Sequence, residues 1–135
     1  MSLERISEDE AEEKILKLEY RLAQIEQVEA CQKDYLTFVR SMWPEFIAGR
    51  HHKIMAEKLE LVAKGELKRL IINMPPRHTK SEFASYLFPA WMIGKNPAMK
   101  IIQATHTTEL AVNFGRKIKN LLERDEYLEI FPEAA

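Results

Sequence analysis

The sequence predicts an α/β protein with parallel strands, preceded by N-terminal helices. Two short apolar runs, "RLIIN" (69–73) and "KIIQA" (100–104), have the composition of buried strands. A stretch with helical periodicity follows each run, so that strand and helix alternate along the chain. Because consecutive strands joined by helices pair in parallel through right-handed crossovers, this alternation favours a parallel sheet.

Length and composition restrict the class of protein. With 135 residues, 46% hydrophobic and 30% charged, the chain is typical of one globular domain. No stretch approaches the roughly 18 apolar residues of a membrane span. The acidic start, "MSLERISEDEAEEK", differs from a signal or transit peptide, so we expect a cytosolic protein without membrane contact. Its one cysteine, Cys31, excludes an intramolecular disulfide and a cysteine-based zinc site.

The net charge of −1 conceals an uneven distribution. Residues 1–30 contain nine Asp or Glu against four Lys or Arg, so the remainder of the chain is basic. An anionic ligand in the basic part would fit this split. A solvated surface of mixed charge without such a ligand is the simpler interpretation of the charge alone.

The first third of the chain has the periodicity of an amphipathic helix, without Gly or Pro before Pro44. Its apolar stripe consists of Ile15, Leu18, Leu22, Ile25 and Val28. We expect the stripe to pack on the parent domain, and a short coiled coil with a partner helix is the alternative. The aromatic segment that follows is broken by Pro44 and Gly49, which predicts an elbow with Trp43 and Phe46 in the core.

A further helix precedes the first predicted strand. In "HHKIMAEKLELVAKG" (51–65) the apolar residues share a helical face, and Gly65 stands where a left-handed cap would end the helix. The face comprises Ile54, Met55, Leu59 and Val62. The strand 69–73 must end before Pro75 and Pro76, because proline neither donates to a ladder nor continues a helix.

Two more helices flank the second predicted strand. Phe83, Leu87 and Trp91 define the face of the first, with a kink expected at Pro89 and an end at Gly94. The second begins at threonine caps in "THTTELAVNFGRKIKNLLER" (105–124). Its apolar face comprises Leu110, Phe114, Ile118 and Leu121.

The stretch "MPPRHTKS" (74–81) has the position of a phosphate-binding loop. It follows a predicted strand, and Lys80 and Ser81 open a predicted helix. In Walker A loops backbone N–H groups surround a phosphate, the lysine reaches the outer phosphates and the hydroxyl binds Mg²⁺. However, Met74 and Thr79 occupy the glycine positions of GxxxxGK[ST], and a Cβ obstructs both positive φ and close approach to phosphate. The residues alone therefore leave phosphate binding and a structural turn both open.

The segments "GELKRLIINMPPRHTKSEFASYLFPAWMIGKNP" and "IIQATHTTELAVNFGRKIKNLL" resemble the N-terminal ATPase region of large terminase subunits, the DNA-packaging motors of tailed bacteriophages. The resemblance covers residues 35–131. It implies a RecA/helicase-like, ASCE-type P-loop NTPase core over 49–135, with 1–48 as a helical N-terminal region. It also implies ATP hydrolysis with Mg²⁺ that drives double-stranded DNA into a capsid.

The resemblance extends to partners and location. It implies a portal protein and a small terminase subunit as partners, and a pentameric ring for the full-length motor. The place of action would be the cytoplasm of an infected bacterial host.

The resemblance assigns roles within the loop. Lys80 matches the Walker A lysine and Ser81 the hydroxyl that ligates Mg²⁺, while Arg77 matches an arginine that senses or stabilises the γ-phosphate. Lys80 and Arg77 are thus the predicted catalytic residues. The residues predicted to bind nucleotide are Pro76, Arg77, His78, Thr79, Lys80 and Ser81.

The resemblance also assigns roles to two flanking segments. By resemblance, His51 or His52 lines the pocket of the adenine base, although a histidine at a helix start also serves as a cap or surface residue. Thr105, His106 and Thr107 resemble a motif that couples nucleotide state to DNA contact. A strand end followed by a helix N-cap explains the threonines equally well.

Family members also need a Walker B strand with acidic residues and a metal-dependent nuclease domain, and the sequence contains neither. We therefore expect these residues to bind nucleotide without turning it over alone. Two alternatives remain: a part of another P-loop nucleic-acid translocase, and a non-catalytic interaction module in which the loop is only a turn.

Overall fold

The computed structural model describes residues 7–134, and their regular secondary structure is helical. Residues 1–6 of the predicted N-terminal region, and residue 135, lie outside the described part. The longer helices are α1 (Glu8–Lys33), α2 (Tyr35–Met42), α3 (Arg50–Ala63), α4 (Phe88–Lys95), α5 (Thr108–Leu122) and α6 (Asp125–Ile130). A π-helical stretch, Glu82–Leu87, leads directly into α4, and a 3-10 turn, Pro132–Ala134, follows α6.

The predicted α/β fold with parallel strands, and with it the RecA/helicase-like P-loop core, is wrong for residues 7–134, which contain no strand and no sheet. The runs 69–73 and 100–104 have no regular secondary structure. Neither is a buried strand, since the Ile71 side chain is 85% exposed and that of Ile102 is 96% exposed.

The first of these runs still has a two-residue periodicity. Leu70, Ile72 and Met74 are partly buried against the helical core, whereas Ile71 and Asn73 are exposed. An apolar, β-branched run indicates this alternation, but a strand also requires a neighbouring backbone that pairs with its N–H and C=O groups. The local pattern correctly predicted the alternation of buried and exposed side chains. It carries no information on whether another backbone segment pairs with the run.

The turn between α1 and α2 positions the centre of the core. Asp34 ends α1 and also caps α2, where its Oδ2 accepts a hydrogen bond from the Thr37 N–H at 2.6 Å. Tyr35 follows at once and is fully buried, with its ring against those of Phe83, Phe88 and Trp91. The Tyr35 hydroxyl donates to the backbone carbonyl of Phe83, so its polar end is satisfied.

The predicted elbow is confirmed for Phe46, which is buried, whereas Trp43 is half-buried. The predicted helix end at Gly65 is also confirmed, since Gly65 follows α3 with φ of 78°. Gly94 does not end its helix, because α4 continues to Lys95. Instead, a Cβ on Gly94 would overlap the Phe131 ring, so this glycine permits close packing.

The expectation that the stripe of α1 packs on the parent domain is wrong for four of its five residues, and only Val28 is half-buried. Ile15, Leu18, Leu22 and Ile25 are all more than half exposed, and Cys31 is the one buried residue of α1. The periodicity correctly predicted the helix and its apolar face. It could not show whether the domain extends far enough to cover that face.

The helix around Pro89 is continuous from Lys80 to Lys95, with π-helical geometry just before the proline. Pro89 has no N–H to donate to the carbonyl of Ser85, four residues earlier. A side chain donates to this carbonyl instead, since Nε2 of Gln103 lies 3.0 Å from the Ser85 oxygen. The irregular segment 100–105 is thereby fixed to the helix.

The substitution Gln103→Leu is expected to lower the free energy of unfolding by about 1 kcal/mol, because it leaves the Ser85 carbonyl without its donor. Urea unfolding of both proteins measures this loss. The matched control is Pro89→Ala, which supplies a backbone N–H near the same carbonyl. In the Pro89→Ala background Gln103→Leu should have a smaller effect, and equal losses in both backgrounds would contradict the interpretation.

Candidate phosphate-binding loop

The loop 74–81 combines two unusual backbone conformations with a helix start. Arg77 and Thr79 have φ of 64° and 57°, and the helix begins at Lys80. Left-handed φ is uncommon outside glycine, and it is rarest for a β-branched residue such as threonine. Thr79 occupies the second glycine position of the Walker A pattern. Its backbone has the left-handed conformation that glycine adopts without strain.

A hydrogen-bonded chain from α3 holds Thr79 in this conformation. The Gly49 N–H donates to Nδ1 of His52 at 3.0 Å, and Nε2 of His52 lies 2.6 Å from Oγ1 of Thr79. The Thr79 hydroxyl donates in turn to the His78 carbonyl at 2.7 Å. Because Nδ1 accepts, Nε2 carries the proton and donates to Thr79, which defines a neutral imidazole.

The surroundings of His52 favour the neutral form. Its side chain is 5% exposed, and its ring centroid lies 4.6 Å from that of Phe46 and 5.4 Å from that of Phe83. Burial lowers the pKa of His52, and the nearby His51 and His78 lower it further. The resemblance predicts that His51 or His52 lines the base pocket. The structure places His52 beneath the loop, and nothing local in the sequence indicated its contact with Thr79.

The remaining loop residues leave basic groups accessible. Lys80 is half-buried, and no ion pair to it occurs in the described part of the chain. Arg77 and Ser81 are exposed. Pro76 and His78 are exposed too, and Nδ1 of His78 donates to the Pro76 carbonyl at 3.0 Å. The Lys80 ammonium is thus not committed to a carboxylate, and an anion can compete for it.

A pocket of about 260 Å³ lies beside the start of the loop. Its lining is mainly apolar and comprises His51, Ile54, Met55, Lys58, Leu70, Ile71, Ile72, Asn73 and Met74. The Nε2 atom of His51 is buried and has no hydrogen-bond partner among residues 7–134. Because this atom is buried, a ligand in the pocket would meet mainly apolar groups.

The segment Thr105–Thr107 is occupied by local contacts. Oγ1 of Thr107 caps α5 by accepting from the Leu110 N–H at 3.3 Å, and the Thr105 hydroxyl donates to the Thr107 carbonyl at 2.6 Å. His106 is exposed. The threonine cap predicted from the sequence is confirmed, and the coupling role of these three residues stays a prediction.

Protein groups alone do not form a metal centre in the described range, which contains no group of three or more His, Cys, Asp or Glu able to hold an ion. A Mg²⁺ at the Ser81 hydroxyl would therefore take its other ligands from phosphate oxygens and water, as is usual for this ion. No helix within residues 7–134 is long and apolar enough to cross a membrane.

Comparison of the chain with protein-family models, with curated proteins and with solved structures gives no match.

Proposed function

We propose that this chain binds the triphosphate of ATP, with Mg²⁺, at the loop 74–81. The observation that carries this proposal is the left-handed backbone of Thr79 directly before Lys80 and Ser81 at a helix start. That conformation turns successive N–H groups toward one side, as in anion-binding nests. A turn without function has no need of a conformation that is unfavourable for threonine and requires a buried histidine to hold it.

Each loop group has a role in this proposal. The N–H groups that open the helix at Lys80 would bind a phosphate, with the helix dipole contributing. The Lys80 ammonium would neutralise the outer phosphates, and the Ser81 hydroxyl would ligate Mg²⁺. Arg77, exposed and at positive φ, would contact the terminal phosphate.

The pocket beside the loop is the proposed site of the base. Its apolar lining suits a flat heterocycle, and the His51 side chain forms part of that lining. In this arrangement His51 would contact ligand, whereas His52 would hold the loop.

The wider biological role rests on the resemblance of residues 35–131 to large terminase subunits. We propose that the chain is the nucleotide-binding part of a motor that packages double-stranded DNA with a portal protein and a small terminase subunit. The proposed binding needs only the loop, the helix that follows and the adjoining pocket, all of which lie in the described part of the chain. Turnover would require free acidic groups beside the phosphates, and the one carboxylate of these elements, Glu82, pairs with Lys117 at 2.8 Å.

The substitution Lys80→Ala tests the proposal. Loss of the ammonium should weaken the binding of a non-hydrolysable ATP analogue with Mg²⁺ by about 10- to 100-fold, because a charge-assisted contact to phosphate is lost. Isothermal titration calorimetry measures this change. The control is Lys68→Ala, which removes an exposed lysine upstream of the loop and should leave the affinity unchanged. Equal affinity of the wild-type and Lys80→Ala proteins would favour a non-catalytic interaction module.

An interaction module is the second candidate function, and one specific observation favours it. The apolar stripe of α1 is exposed along the helix, which is the usual mark of a surface that binds another protein. The two functions are compatible, since the loop and the stripe lie on different elements.

A further inference from the structure

Helix α1 presents an apolar seam that the other residues of the range 7–134 leave exposed. The helix has 26 residues and is therefore about 39 Å long. Ile15, Leu18, Leu22 and Ile25 follow one another at spacings of three, four and three residues, as at positions a, d, a and d of two heptads. Ala11 takes the preceding d position.

The seam points away from the rest of the molecule from Ala11 to Leu22, whereas Ile25 also lines a cleft between α1 and α6. Cys31, the one buried residue of α1, lies nearly opposite the seam on a helix with 3.6 residues per turn. The carbonyl of Cys31 receives a hydrogen bond from Trp91 of α4, so this side of α1 faces the core. A partner could therefore approach the seam without displacing the core contacts of α1.

The charges that flank the seam identify the partner. In the heptad register set by Ile15 and Leu18, Lys14 and Arg21 occupy the g positions and Glu19 and Glu26 the e positions. All four side chains are exposed, and none forms an ion pair with another described residue. The g positions are thus basic and the e positions acidic.

In a parallel pair of helices a g residue faces the e residue five positions further along its partner. Two copies of α1 in parallel would place Lys14 opposite Glu19 and Arg21 opposite Glu26, twice each by symmetry. In an antiparallel pair g faces g and e faces e, which would bring like charges together. Self-pairing in parallel is the arrangement in which every flanking contact is attractive.

We propose that α1 pairs with α1 of a second copy of this chain as a parallel, two-stranded coiled coil. The first heptad, with β-branched Ile15 at a and Leu18 at d, favours two strands, whereas Leu22 at a with Ile25 at d is the pattern of larger bundles. The proposal of two strands therefore rests on the first heptad, and the flanking charges set only the parallel orientation. The seam has five layers, from Ala11 to Ile25, so the dimer is weak and forms as the concentration rises. This inference does not depend on nucleotide binding, because no residue of the seam belongs to the loop or its pocket.

The substitution Leu18→Glu tests the seam. Placing two carboxylates in the apolar interface should weaken dimerisation by about 100-fold, as measured by sedimentation equilibrium between about 10 µM and about 1 mM. The matched control is Leu16→Glu on the same helix. Leu16 is 67% exposed and Leu18 is 64% exposed, but Leu16 lies at a b position outside the seam. The Leu16→Glu substitution should leave dimerisation unchanged. Glutamate preserves helix propensity at both sites.

Charge reversal tests the orientation. The variant Lys14→Glu/Arg21→Glu, with acidic residues at both flanks, should dimerise about tenfold more weakly than the wild type. Adding Glu19→Lys and Glu26→Lys should restore dimerisation of the variant with itself. When the fourfold variant is mixed with ¹⁵N-labelled wild type, native mass spectrometry should show only homodimers.

Heterodimers in that mixture would indicate antiparallel pairing and would overturn the proposal. So would a wild-type protein that stays monomeric across the concentration range, or one that forms an assembly larger than a dimer. Equal effects of Leu16→Glu and Leu18→Glu would exclude the proposed seam as well.

Discussion

The substitution Trp91→Ala is expected to lower the free energy of unfolding by about 4 kcal/mol, the largest loss foreseen for a single change in this chain. The Trp91 side chain is 1% exposed, and its ring packs on Tyr35 with a centroid distance of 5.3 Å and on Phe88 at 6.3 Å. Alanine would leave a cavity that rings from different helices line. Urea denaturation measures the loss.

Trp91 also donates a hydrogen bond to a backbone carbonyl at the C-terminal end of α1. Its Nε1–H donates to the Cys31 carbonyl at 2.9 Å. The Tyr35 N–H, four residues after Cys31, donates instead to Oε1 of Glu60 at 2.9 Å, so this carbonyl lies among the helix-end groups that need outside partners. Trp91→Phe separates the two contributions, because it keeps most of the ring and removes the donor at a cost of about 1–2 kcal/mol.

Trp43→Ala provides the comparison within the same protein. Trp43 is half-buried and lies beside Phe46 at the edge of the core, so its removal should cost clearly less than that of Trp91. If Trp91→Ala and Trp43→Ala destabilise the chain equally, the assignment of Trp91 to the centre of the core is wrong.

The sequence predicted helices better than it predicted their partners. The predicted apolar helix faces include Met55, Leu59, Phe83, Leu87 and Leu121, and each of these is buried, whereas Ile54 is 49% exposed. The apolar period of a helix comes from its own core face, so it can be read locally. By contrast, Ile71 and Ile102 belong to runs whose predicted sheet is absent from residues 7–134, since pairing depends on distant backbone that no local pattern specifies.

For the candidate site, too, local features could be predicted from the sequence and contacts between distant residues could not. The sequence located the loop before a helix that opens with Lys80 and Ser81, and the helix does begin at Lys80. By sequence alone the Cβ of Thr79 is an obstacle to phosphate binding, because glycine is usual at this position. The hydrogen bond between Thr79 and His52, a residue 27 positions earlier, depends on packing of α3 under the loop. Contacts between residues so far apart cannot be inferred from spacing.

His52→Ala is the second change with a large expected effect, about 3 kcal/mol of unfolding free energy. It removes a buried ring between Phe46 and Phe83, the acceptor of the Gly49 N–H and the donor to Thr79. Nucleotide affinity should fall with it, since Thr79 would lose its main constraint. The double variant His52→Ala/Thr79→Gly should recover affinity but not stability, because glycine adopts the left-handed conformation without support.

The same network predicts that stability depends on pH. Burial lowers the pKa of His52 in the folded chain below the 6.5 of an unperturbed histidine, so the unfolded chain binds more protons once the pH falls below that value. The stabilisation is therefore complete above about pH 6.5 and decreases on acidification, by up to about 1.4 kcal/mol per pH unit. A proton on Nδ1 of His52 would also replace the hydrogen bond from the Gly49 N–H by a contact between two donors. The positive charge on His52 would in addition be repelled by His51 and His78.

His52→Phe isolates this contribution to the pH dependence, because phenylalanine fills the space of the ring and does not titrate. The free energy of unfolding of the wild type minus that of His52→Phe, measured from pH 7.5 to about pH 5, should decline with falling pH. The subtraction removes whatever His51, His78 and the carboxylates contribute to both proteins. A difference that stays constant over this range would mean that His52 takes up its proton without disturbing Gly49 and Thr79. The neutral, hydrogen-bonded imidazole would then not be what holds the loop.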